Sequence, residues 1–145
     1  MPQPTQNFAN HARWFPLYHF VVAPILWLYV IHTAIHTFRD FDLVHVFELL
    51  WVLAIAIAAV TARIMAIKVQ NRLIRLEMRL RLRDVLPAPL AARIPELTVR
   101  QLIGLRFAGD AELPGLVQRT LNGEFASAKA IKLAVTDWQP DYLRV

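Results

Sequence analysis

Between Pro16 and Phe38 the chain carries no Asp, Glu, Lys or Arg, and this run constrains the fold more than any other feature. At 1.5 Å per residue a helix over it is about 35 Å long, enough to cross a hydrocarbon core of about 30 Å. A second apolar run, Leu43 to Ala62, carries one formal charge, Glu48. Only Arg39, Asp40, Phe41 and Asp42 separate the two, so the helices are expected to fold back as a tight antiparallel hairpin. A cleaved signal peptide needs a basic start, a short apolar stretch and a small-residue cleavage site. The first run is too long, begins late and ends in HTAIHTF, so a span is the expectation.

The predicted fold is an all-α membrane protein. An N-terminal tail (1–15) leads into a transmembrane hairpin (16–62, spans 16–38 and 43–62). The second span continues as a basic amphipathic helix (63–86), followed by a Pro-rich linker (87–97) and a small helical domain (98–145). Hydrophobic residues make up 57% of the chain, against about 45–50% in soluble domains, and the excess sits in the first half. The net charge of +5 is also local. Arg63, Lys68, Arg72, Arg75, Arg79, Arg81 and Arg83 face only Glu77 between residues 63 and 83. Basic segments stay on the cytosolic side, so both termini are expected there, with the Arg39–Asp42 loop outside.

Several functions are disfavoured by what the chain lacks. There is no cysteine, which excludes a disulfide framework, a thiolate metal site and a cysteine nucleophile. The single serine, Ser127, is read as a helix cap, and the four glycines form no phosphate-cradling pattern. No enzyme is expected. Nucleic-acid binding by the Arg-rich helix is not expected either, because no reader fold accompanies it.

Inside the spans, His32 and His36 lie four apart and share a helix face, as do His45 and Glu48 three apart. Across the short loop His36 should approach His45, and His32 should approach Glu48. Such a set could hold a metal or a haem, or relay protons. The plainer reading is neutral histidines bonded to water, headgroups or Glu48, with no cofactor. Pro24 is expected to break the backbone ladder of the first span.

Two stripes run along the second helix. Ala54, Ala58, Ala62 and Ala66 form a small-residue row of the kind that lets helices approach closely in lipid, either within the hairpin or between subunits. From Ala62 and Ala66 the spacing turns to 4/3 through Val69, Leu73, Leu76 and Leu80, an a/d seam for a partner helix. Lys68, Arg72, Arg75, Arg79 and Arg83 form a cationic stripe suited to anionic lipid headgroups.

The C-terminal segment reads as three helices. The first spans Thr98 to Ala108, with a Thr98/Gln101 capping box and Gly109 as its stop. The second runs from Asp110, as cap, to Leu121, stopped by Asn122-Gly123. The third runs from Ser127 to Trp138, ended by Pro140. About fifty residues make a marginal core, so this domain should lean on the basic helix or on another subunit. Asp110, Glu112, Asp137 and Asp141 are candidates to face the arginine stripe.

Three stretches carry a family resemblance: ARIMAIKVQNRLIRLEMRLRL, LTVRQLIGLRFAGDAELPGLVQRTL and the ending KAIKLAVTDWQPDYLRV, with the Tyr18-His19 pair before the first span. Together they resemble a family of bacterial two-span membrane proteins of unknown function, over most of the chain from Tyr18 onward. Met78 departs from that pattern, which has a second acidic residue after Glu77. The resemblance implies an inner-membrane hairpin with a small helical cytosolic domain, and no activity. The leading expectation is a non-enzymatic assembly protein, either a homo-oligomeric scaffold or a subunit of a larger membrane complex. The alternatives are an oligomeric channel or transport element, or a metal- or haem-binding component using His32, His36, His45 and Glu48.

Overall fold

The computed structural model describes residues 6–11 and 14–142. Among these the chain is helical, with one isolated antiparallel bridge between Ala108 and Trp138. A π-helical segment (Leu17–Val22) leads into α1 (Ala23–Arg39). Then come α2 (Leu43–Val85), α3 (Ala88–Ala91), a 3-10 turn (Ile94–Glu96), α4 (Val99–Leu105), α5 (Leu113–Leu121) and α6 (Ala128–Ala134). The chain divides into two compact units, one of Trp14–Ile67 and the other from Lys68 onward with the N-terminal tail.

In the first unit the two long helices are each apolar enough to cross a membrane. Within the most apolar window of each, only 11% and 6% is buried inside the chain, whereas the core helix of a soluble protein is largely covered. The turn between them is held by Thr37, whose hydroxyl proton is shared between Thr33 O (2.8 Å) and His45 O (3.1 Å). Thr33 repeats the back-bond to Tyr29 O at 2.9 Å. Both threonines are buried, and these back-bonds satisfy their hydroxyls largely within the helix, Thr33 also reaching Val30 O at 3.1 Å. The break expected at Pro24 takes the form of the π-helical segment. Ala23 N–H reaches back to Tyr18 O, five residues away, and Pro24 falls in the first turn of α1, where a missing N–H costs least.

The second unit has a single core. Ile74, Met78 and Leu82 of α2, with Leu86 just past its end, recur every four residues and pack with Leu102, Leu105, Leu113, Leu116, Val117 and Ile131. The domain thus rests on the basic helix. The stretch expected to be a linker, 87–97, folds into α3 and the 3-10 turn and places Ile94 and Leu97 in the core. Its prolines break long helices but fit the first turn of short ones.

Helix ends follow local chemistry with three corrections, the first being that α4 ends at Leu105 and not at Ala108, so Gly109 is not its stop. The Thr98/Gln101 capping box is formed, Ser127 Oγ accepts from Ala130 N–H at the start of α6, and Gly123 has φ 80° after α5. α5, however, starts at Leu113 and not beside Asp110. α6 ends at Ala134, so Thr136 to Trp138 are not helical. Glu112 explains the early end, because its carboxylate accepts the Thr136 and Asp137 N–H groups.

Candidate functional site

The helix that carries most of the predicted site residues has two apolar faces and only one is covered. Ile74, Met78 and Leu82 are buried in the core of the second unit. Val69, Leu73, Leu76 and Leu80 are 68%, 54%, 57% and 51% exposed. At 100° per residue these two rows point in roughly opposite directions. The seam predicted at 4/3 spacing is therefore not what the protein's own domain packs against; the row at 74, 78 and 82 is.

The cationic stripe is also largely uncovered. Lys68, Arg72, Arg75 and Arg83 are exposed and Arg79 is half-buried. The acidic residues expected opposite the stripe pair elsewhere. Asp110 is held by Arg81, which lies off the stripe, with Nε at 2.8 Å. The same guanidinium donates to the carbonyls of Arg106 (3.2 Å) and Ala108 (2.7 Å). Asp141 pairs with Arg106 at 3.0 Å. Glu112 accepts from Thr136 Oγ1 (2.6 Å), Thr136 N (3.0 Å), Asp137 N (3.2 Å) and Gly109 N (3.4 Å).

These contacts give the RFAGDAELP stretch its meaning. Arg106 to Glu112 binds the C-terminal tail in a short antiparallel pairing, with Gly109 N to Asp137 O at 2.8 Å and Gln139 N to Phe107 O at 2.7 Å. The rings of Phe107 and Trp138 stack at 4.5 Å. His11 of the N-terminal tail meets the Phe107 ring edge-on. Its Nδ1 donates to Phe8 O at 2.6 Å, leaving Nε2 to accept from Lys132 Nζ at 3.0 Å. No sequence signal marked this docking, because its partners are far apart in the chain, 121 positions for His11 and Lys132.

The same tail borders a cleft of about 410 Å³ lined by Ile74, Glu77, Met78, Arg81, Arg106 and residues 140–142. Met78 reaches it from a core position, where a carboxylate would be desolvated. That accounts for an apolar residue where the family resemblance suggested an acid. The cleft's guanidinium groups already bond the protein itself.

In the first unit the imidazoles form a ladder. Ring centres of His32 and His36 are 4.5 Å apart and those of His36 and His45 are 6.1 Å apart. His45 Nδ1 lies 2.9 Å from Asp40 O, which favours its Nδ1–H tautomer as donor. Glu48 is exposed, and among the described residues no three His, Asp or Glu side chains come together to hold a metal ion. Of the four predicted ligands, His32, His36 and His45 form a chain of neighbouring rings, while Glu48, on the same face as His45 by spacing, is exposed. The alanine row Ala54, Ala58, Ala62 and Ala66 is likewise exposed. The alanines beside α1 are Ala56 and Ala59, which share a crevice with Ala23 and Leu26.

What these features define is an all-helical protein with two long apolar helices and a small helical unit whose polar side chains mostly serve the fold. The chain belongs to the family DUF6526, a family of unknown function, which it matches over residues 1–145. No curated protein and no solved structure matches it.

Proposed function

We propose that this protein is a membrane-anchored, non-enzymatic assembly protein. It acts as a homo-oligomeric scaffold or as a subunit of a larger membrane complex in the bacterial inner membrane. The supporting observation is the uncovered row Val69, Leu73, Leu76 and Leu80 on a helix whose other face is already in a core. Apolar side chains held at heptad spacing on a formed helix suit another helix. The low burial of both apolar helices supports lipid as their solvent. The basic segment after the second span supports cytosolic termini. Of the stripe Lys68, Arg72, Arg75, Arg79 and Arg83, the members nearest the end of the second span would lie near anionic headgroups, where a basic residue contributes about 1 kcal/mol. Native mass spectrometry of the protein extracted from its host in mild detergent tests the reading. A multiple of 16.6 kDa, or a stable adduct of protein size, is expected; a bare monomer overturns it.

The imidazole ladder supports a second reading, an oligomeric channel or a metal- or haem-binding element. Ionisable groups in a membrane mark proton and ion paths. Proton flux into proteoliposomes that is abolished by His36→Ala supports a path. Flux equal to that of empty vesicles removes it, and a purified protein without metal or a Soret band removes the cofactor form.

A further inference from the structure

The exposed seam of α2 has charged flanks, and their order specifies a partner. With Leu73 and Leu80 at a and Val69 and Leu76 at d, the g positions are Arg72 and Arg79, and the e positions are Gln70, Glu77 and Asp84. In a parallel, in-register coiled coil, each g side chain meets the e′ residue five positions further along the other helix. Arg72 would then meet Glu77 of a second copy, and Arg79 would meet its Asp84. The two-fold axis repeats both pairs, giving four ion pairs of correct sign. An antiparallel pairing would set g against g and e against e, placing arginine beside arginine and carboxylate beside carboxylate.

The structure leaves these groups available. Among the described residues Arg72, Glu77, Arg79 and Asp84 enter no ion pair within the chain. Arg79 Nε is buried with no hydrogen-bond partner. Glu77 has an i+4 neighbour of opposite sign in Arg81, but that guanidinium is taken by Asp110 and two backbone carbonyls. The domain core uses Ile74, Met78 and Leu82, which are b, f and c positions, so the a and d residues 69, 73, 76 and 80 stay exposed, as do Arg72, Glu77 and Asp84, with Arg79 half-buried. Two heptads are short for a free coiled coil in water. Here the helix is already formed and held by its own domain, so little ordering remains to oppose association. Arg83 stands at the next d position and ends the seam.

We infer that residues 69–84 are a self-recognition element that pairs with the same segment of a second copy, parallel and in register, through g–e′ ion pairs. This rests on the assembly reading and adds the partner's identity, orientation and register. Because the chain has no cysteine, single substitutions report proximity cleanly. Full-length Leu73→Cys and Leu76→Cys proteins, oxidised in membranes, are expected to give a disulfide-linked pair, and Arg75→Cys, at a c position, far less of it. Arg72→Glu should weaken self-association roughly four- to ten-fold, since two symmetric surface pairs are lost and replaced by repulsion. The swap Arg72→Glu/Glu77→Arg should restore it without depending on any cysteine variant. Equal cross-linking at 73 and 75, or self-association indifferent to Arg72→Glu, overturns the inference while the assembly reading stands. A complex holding one copy with a different protein does the same. A bare monomer overturns both.

Discussion

At Gly104 a β-carbon would lie 3.0 Å from Ile131 Cβ and 3.2 Å from Ala128 O, whereas at Gly115 nothing lies within 4 Å. Both glycines are in helices, yet they call for opposite predictions. Gly104→Ala wedges α4 from α6 and should destabilise by about 1–3 kcal/mol, as overpacking does. Gly115→Ala fills open space, removes unfolded-state entropy and should stabilise by about 0.5–1 kcal/mol. Urea unfolding in detergent separates them; a stabilised Gly104→Ala would contradict the α4–α6 contact. Glu112 matters for a different reason, because its carboxylate gathers four donors that would otherwise be left facing one another. Glu112→Gln should cost about 1.5–3 kcal/mol, the range for bonds to a charged group. It should also speed amide exchange at Thr136 and Asp137 before the rest of the unit. The Arg93–Glu96 pair, 2.8 Å apart, supplies a pH dependence. The hydrogen bond from Arg93 holds the Glu96 carboxyl below its usual range. A lowered folded value stabilises above the unfolded pKa and is lost as pH falls through the folded one. The stability gap between the protein and Glu96→Gln should therefore be present at neutral pH and close on acidification; a gap that widens in acid would contradict the pairing.

At the scale of the element, α2 shows how much a pattern reveals and what it leaves open. The apolar residues of its basic half occupy two opposed rows. The 4/3 row, Val69, Leu73, Leu76 and Leu80, was legible as a seam because it matches a heptad. The i+4 row, Ile74, Met78 and Leu82, holds the domain instead, and nothing in the spacing distinguishes the face that meets residues 94–131 from the face that stays open. Substitution can tell them apart. Leu82→Ala, at a fully buried position, should destabilise the folded unit by about 2–5 kcal/mol. Leu76→Ala should change its stability by less than about 0.5 kcal/mol while weakening self-association. Equal losses, measured at a protein dilution in detergent that keeps the chain monomeric, would mean that both faces are covered. The helix ends divide in the same way. Thr98 with Gln101 and Asn122 with Gly123 act over three or four residues and could be read directly. The stop of α6 could not, because Glu112 lies far away in sequence.

At the scale of the whole molecule the proposed topology is directly testable. If both termini are cytosolic, Asp40→Cys in the interhelical loop should react with an impermeant maleimide added to intact cells. Gln118→Cys, an exposed position in α5, should react only after permeabilisation. The reverse pattern would invert the orientation drawn from the basic segment. The candidate site was only partly legible. The neighbourhood of His36 and His45 followed from a four-residue loop that leaves little freedom of register. The exposure of Glu48 did not follow, since spacing alone does not say which side of α2 meets α1. The same holds for Ala56 and Ala59, which line the crevice beside α1 where Ala54 and Ala58 do not.

By itself, then, the sequence determined the features that arise from contiguous residues: two long apolar helices, the four-residue turn, the capping box of α4, the glycine stop after α5 and the 4/3 spacing of Val69, Leu73, Leu76 and Leu80. Each depends on backbone hydrogen bonding, side-chain size or solvent preference within a few residues. The tertiary structure alone decided which apolar row of α2 enters a core, that the Pro-rich stretch belongs to that core, and that Arg81, Arg106 and Glu112 bind distant parts of the chain. Those outcomes depend on which donors and acceptors a folded chain brings within about 3 Å, and residues more than twenty positions apart carry no local mark of it.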